Sequence, residues 1–184
     1  ATHGLIVGEN GNGTLNISGT ALVQSAGGVR VGGTGGTGTI NLNGGTLLTP
    51  GVIAMNAAGG TQNFYFNGGT LRASADNAAF ISGMDTLQIN AGGAVIDSNG
   101  HNISIADGLS GTGGLVKQGA GTLTLSGTNN YAGTTMVTGG SLDITGSTTG
   151  QGYVYVYGGE MNISTGGSFQ SNQWMNIGEY TGNG

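Results

Sequence analysis

Apolar residues in this chain come in pairs with one residue between them. Gly-Thr-Leu-Thr-Leu-Ser-Gly over 121–127 alternates leucine and threonine, so Leu123 and Leu125 face one way and the threonines the other. Leu142 and Ile144 repeat the pair further on, and Met161 and Ile163 repeat it again at the same interval. Upstream, Ile103 and Ile105, Leu87 and Ile89, Phe64 and Phe66, Ile40 and Leu42, and Leu15 and Ile17 have the same form. Along the chain the step between successive pairs narrows from roughly 25 residues to roughly 20, within the range of repeat architectures. One step, from Leu87 to Ile103, is shorter than the rest. Short strands returning at such intervals predict a solenoid with one inward pair per coil. The eight pairs are expected to stack in a single inward column. The residues between them, Asn16, Asn41, Tyr65, Gln88, Ser104, Thr124, Asp143 and Asn162, would then form one flat, polar outer column.

The turns repeat as well. Asn43-Gly-Gly-Thr-Leu47 recurs one coil later as Asn67-Gly-Gly-Thr-Leu71. Asn43 should therefore lie over Asn67, where side-chain amides can bond along the stack. Gly13–Gly38 also aligns without gaps to Gly159–Gly184 with nine identities, which suggests a larger repeating block. Eight coils spaced by about 4.8 Å would make a rod on the order of 40 Å long. Crossovers between parallel strands favour the right hand.

The stretch from Gly111 to Ile144 carries Gly-x-Gly-Gly-Leu-x-Lys-x-Gly-x-Gly-Thr-Leu-Thr-Leu-Ser-Gly-x-Asn-x-Tyr-x-Gly-x-Thr, then Gly-Gly-x-Leu. It resembles the autotransporter-associated β-strand repeat of bacterial surface proteins. Asn90–Ile105, Asn-Ala-Gly-Gly-Ala-Val-Ile-Asp-Ser-Asn-Gly-His-Asn-Ile-Ser-Ile, is similar to the segment that precedes that repeat. The resemblance implies an all-β, right-handed parallel β-helix of pectin-lyase-like architecture, exported to the cell surface. It implies no particular activity, because the repeat is scaffold. The chain then divides into longer coils over 1–89, the repeat over 90–144, and further coils over 145–184.

Composition narrows the function. The 43 glycines could mark disorder, but a single proline and ordered apolar pairs favour a turn-dense β protein. A net charge of −5 with three basic residues argues against nucleic acid and against docking on anionic lipid. No apolar run is long enough for a transmembrane helix. The absence of cysteine fits an exported chain and equally a cytosolic one.

Candidate chemistry is sparse. Asp97 and His101 are a carboxylate and an imidazole close in sequence, but Asp-Ser-Asn-Gly-His reads as a turn in which the side chains bond their own backbone. The acids Glu9, Asp76, Asp85, Asp97, Asp107, Asp143, Glu160 and Glu179 are scattered, and the bases are Arg30, Arg72 and Lys117. No catalytic, cofactor-binding or metal-ligating set is expected. The aromatics are more individual. Tyr153-Val-Tyr-Val-Tyr157 puts valines on one face and Tyr153, Tyr155 and Tyr157 on the other, with Trp174 and Tyr180 following. Outward aromatics of this kind suggest an interaction surface for glycans or another chain.

The expected function is a non-catalytic stalk or adhesin-type scaffold at the bacterial surface. The alternatives are a subunit of an extracellular filament and a carbohydrate-binding or carbohydrate-cleaving β-helix. Neither end reads as a cap, so the edges near Ile6–Val7 and Met175–Ile177 are expected to pair with strands of a longer polypeptide or of another copy stacked end to end.

Overall fold

The computed structural model describes residues 4–55 and 59–178. Its strands stack in parallel as a solenoid, and the chain visits three faces in a fixed order. The first face holds Leu5–Val7, Val29–Val31, Val52–Ala54, Asn77–Ser82, Ile103–Ile105, Thr122–Leu125, Gly140–Ile144 and Gly159–Ile163. These eight strands bound seven complete turns. The second face holds Gly13–Ile17, Thr37–Leu42, Thr61–Phe66, Thr86–Ile89 and Ser110–Gly111, then a separate sheet of Thr128–Asn129, Ser147–Gln151 and Ser168–Ser171. The third face holds Leu22–Gln24, Thr46–Thr49, Thr70–Ala73, Ala94–Asp97, Leu115–Gln118, Thr135–Val137, Val154–Val156 and Met175–Ile177.

Alternation along each strand builds the interior. The inward residues of the three faces meet in one continuous apolar cluster, from Val7 to Val156. On the third face Leu47, Leu71, Ile96, Val137 and Val156 are buried, a column that the spacing of the other pairs does not announce. Phe64 and Phe66, with ring centroids 4.6 Å apart, fill the wide coils.

The single inward column expected from the sequence is two columns. Leu15/Ile17, Ile40/Leu42, Phe64/Phe66 and Leu87/Ile89 stack on the second face. Ile103/Ile105, Leu123/Leu125, Leu142/Ile144 and Met161/Ile163 stack on the first. The short step from Leu87 to Ile103 is therefore not a small coil. It passes through the third-face strand Ala94–Asp97 and stops short of a full turn. Ile89 pairs one coil on with Gly111, and Ile105 pairs one coil back with Ile81. The outer column divides in the same way. Asn16, Asn41, Tyr65 and Gln88 lie on one face, and Ser104, Thr124, Asp143 and Asn162 on another. Among the paired residues, Leu15 and Met161 are half-buried and Ile163 is 50% exposed. Each belongs to the outermost strand of its sheet among the described residues.

The larger block repeat is also out of phase. Gly13–Ile17 is a second-face strand, whereas its aligned counterpart Gly159–Ile163 is on the first face. The identities reflect a shared strand-and-turn grammar and not equivalent places in the coil. Asn43 and Asn67 do stack: Asn67 Nδ2 donates to Asn43 Oδ1 at 3.3 Å, and Asn41 Nδ2 to Asn16 Oδ1 at 2.8 Å.

Candidate functional site

Midway along the rod the coil shrinks, from 24 residues between stacked Asn43 and Asn67 to 19 between stacked Asp143 and Asn162. The second face absorbs the loss, as six-residue strands give way to the two-residue strands Ser110–Gly111 and Thr128–Asn129. Backbone bonds persist there, from the Asn130 amide to Leu109 O and from the Ala132 amide to Gly111 O, both at 2.8 Å, and a side chain adds to them. Asn129 Oδ1 accepts from the Leu109 amide at 3.0 Å, and its Nδ2 donates to the carbonyls of Gly127 at 3.1 Å and Ser147 at 3.3 Å. Tyr131 is fully buried beside it, its hydroxyl 2.7 Å from Thr135 Oγ1. Burial raises the Tyr131 pKa above its usual value near 10, with the Thr135 bond opposing.

Lys117 is the most unusual residue of this region. It stands in the third-face inward column between Ile96 and Val137, with no exposed surface. Its ammonium donates to the carbonyls of Gln118 at 3.0 Å, Gly119 at 2.8 Å and Gly139 at 2.9 Å, tying the corners of two successive coils. Three N–H groups meet three acceptors, which satisfies the cation's donors. Burial nevertheless lowers its pKa from 10.5 to about 8, with the Asp97 carboxylate opposing. Two corner glycines are fixed by geometry. Gly121 has φ +88°, and a Cβ there would lie 2.2 Å from the His101 carbonyl oxygen. A Cβ on Gly119 (φ +75°) would lie 2.2 Å from Asp97 Oδ1.

Asp85, Asp97 and Asp107 bind backbone amides at the corners, whereas Asp143 lies within a first-face strand. Asp85 Oδ2 accepts from the Gln62 amide at 2.8 Å, and Asp107 accepts from the amides of Gly83 at 3.1 Å and Met84 at 2.8 Å. Asp143 Oδ1 accepts from Asn162 Nδ2 at 3.0 Å. Asp97 accepts from the Asn99 amide at 2.9 Å and lies 3.3 Å from Arg72 Nε, so it is held by its turn and a neighbouring coil. His101 turns instead to Asp76, with Nδ1 3.3 Å from an Oδ1 that also accepts from the Asn102 amide. Asp76 borders an open groove lined by Asn77, Asn102, Ser104, Thr122 and Thr124. Among the described residues no three His, Asp or Glu side chains converge on a point where a metal ion could sit, and no helix is long and apolar enough to cross a membrane.

The aromatic residues form a separate site on the outside of the third face. Val154 and Val156 are buried, and the rings of Tyr153, Tyr155 and Tyr157 run along the outer side of that strand. Centroids are 6.0 Å apart for the first two and 5.3 Å for the second two, with planes inclined by only 17° and 20°. The next coil brings Trp174 alongside, because its carbonyl accepts from the Val154 amide at 3.1 Å. Trp174 is 81% exposed. With Asn176, the Cα partner of Tyr155, these residues line a cleft of about 420 Å³. Tyr180 and Glu179 lie outside the described residues.

Residues 115–144 match the family model described as passenger-associated-transport-repeat. The chain carries an autotransporter passenger repeat. The match runs from the third-face strand that bears Lys117 to the first-face strand of Leu142, so it frames the contracted coil with Asn129 and Tyr131. The repeat and the stacked parallel coils together fit an autotransporter passenger β-helix, a family displayed outside the cell. No curated protein and no solved structure matches the chain.

Proposed function

We propose that this passenger chain is a non-catalytic, adhesin-type stalk, a rod that holds other parts of a surface protein away from the bacterial outer membrane. What supports this reading is how the repeat spends its characteristic residues. Lys117, Asn129, Tyr131 and Thr135 are buried and bonded within the corners, and Gly119 and Gly121 are where another coil leaves no room for a side chain. Asp85, Asp97 and Asp107 likewise bind backbone amides. These polar groups close coils.

The test is display and turnover together. The chain is fused to an outer-membrane translocator, intact cells are labelled with an antibody, and the purified protein is assayed against polysaccharides, glycosides and esters. The stalk reading expects surface labelling and no turnover. Turnover that vanishes in His101→Ala or Asp76→Asn, the one carboxylate–imidazole contact among the described residues, would sink it.

A further inference from the structure

The cleft bounded by Tyr153, Tyr155, Tyr157, Trp174 and Asn176 is a concave aromatic surface, and none of its five lining residues carries a formal charge. We propose that it is a binding site for a neutral oligosaccharide, with pyranose rings laid against the indole of Trp174 and the tyrosine row.

Three observations select this ligand class. First, the cleft's volume of about 420 Å³ suits a small ligand, whose pockets run from about 300 to 1,000 Å³. A stable protein partner would need about 800 Å² on each side, far more than five side chains supply. Second, the lining pairs flat apolar ring faces with uncharged polar tips: tyrosine hydroxyls, the indole N–H and the Asn176 amide. A sugar has the complementary surface, a ring with apolar C–H faces and a rim of hydroxyls. A nucleobase also offers a flat face, but it comes with a phosphate chain, and this protein is acidic with only three basic residues. Third, the backbone that carries the rings is held by the fold. The tyrosines sit on a strand whose alternate residues, Val154 and Val156, are locked in the core, and Trp174 is tied to that strand through its backbone. Preformed sites bind without a large ordering cost. The site belongs to the surface of the rod and does not depend on the stalk reading, so its failure would leave that reading in place.

Trp174 is the sole tryptophan of the chain, so its fluorescence reports on the cleft directly. The purified chain is titrated with cello-, chito-, malto- and laminari-oligosaccharides at millimolar concentrations, and binding is checked by calorimetry. The proposal expects a saturable change in the Trp174 emission with at least one of them. Tyr155→Ala should weaken binding roughly tenfold, the scale on which one aromatic stacking contact acts. Trp174→Ala, followed by calorimetry, should lose it to the same degree or more. Both variants should melt like the parent, because the side chains removed lie on the outside of the rod. No saturable change with any of the neutral oligosaccharides overturns the proposal, as does binding that survives both substitutions. Concentration-dependent self-association that is lost in Trp174→Ala also overturns it, since the surface would then belong to a second copy of the chain.

Discussion

Replacing Lys117 by methionine should remove the pH dependence that its buried ammonium gives the fold. Lys117 is the only lysine, and it gives up its proton near pH 8 in the fold against about 10.5 when unfolded. Between those values the unfolded chain binds more protons than the folded one, so the fold gains stability as pH rises. From pH 8 to pH 10 the gain integrates to about 2 kcal/mol. For a chain of this size that is a rise in Tm of about 4–8 °C. Above pH 10 the trend should reverse. Tyr131, held neutral by burial, resists ionisation in the fold while the unfolded chain ionises freely, and its contribution is lost as pH rises. In Lys117→Met the rise between pH 8 and 10 should disappear and the decline above pH 10 remain. At pH 7 two effects oppose each other. The variant sheds the cost of a buried cation but leaves carbonyls behind. Gln118 O still accepts from the Ser98 amide at 3.1 Å, but the single Ser98 hydroxyl proton goes to Ala120 O at 2.7 Å, so the loss falls on Gly119 O and Gly139 O, at about 1–3 kcal/mol each. The slope with pH, and not the stability at one pH, is therefore the diagnostic. Thermal melts followed by far-ultraviolet circular dichroism at half-unit steps would measure it. A flat parent curve across this window, or a slope that persists in the variant, would refute the account of the buried ammonium.

Two further substitutions test the coil assignment. Leu142→Asp places an unpaired carboxylate at a fully buried position between Leu123 and Met161, and should cost several kcal/mol in a urea titration; parent-like unfolding would mean that the first-face column is wrong. Gly121→Ala forces a side chain into a left-handed backbone and against the His101 carbonyl, and should cost about 3 kcal/mol; a neutral effect would show that this corner is looser than its geometry.

The parallel solenoid is legible in the sequence because inward pairs such as Leu123/Leu125 and Leu142/Ile144 recur at a period too short for anything but one coil. What misleads is the assumption that all such pairs share one face. A coil with three inward-facing strands offers three equivalent alternations. When the second face contracts after Ile89, the most regular pairs switch to the first face without any local sign. The short step from Leu87 to Ile103 is the only trace. The third-face column is hidden for a different reason. It contains Lys117, which a polarity pattern reads as outward, although its head can reach backbone carbonyls from inside. Residues 43–47 and 67–71 are reliable guides because their Asn-Gly-Gly turns mark the same corner between the second and third faces. His101 shows the limit of sequence proximity. Its contact is with Asp76, on the preceding coil, 25 residues away, whereas Asp97 lies only four positions before it.

The two coil sizes have a mechanical consequence. Hydrogen bonds between coils run along the rod, so tension applied between its ends loads those bonds lengthwise and one interface at a time. Coils held only by their neighbours should peel away singly. A wide coil of about 24 residues would release a contour of roughly 80 Å, and a narrow one of about 20 roughly 65–70 Å. Stretched in a force spectrometer, such a rod would extend in two populations of steps. Lys117 and Asn129, whose bonds bridge successive narrow coils, would set where the shorter steps begin to resist.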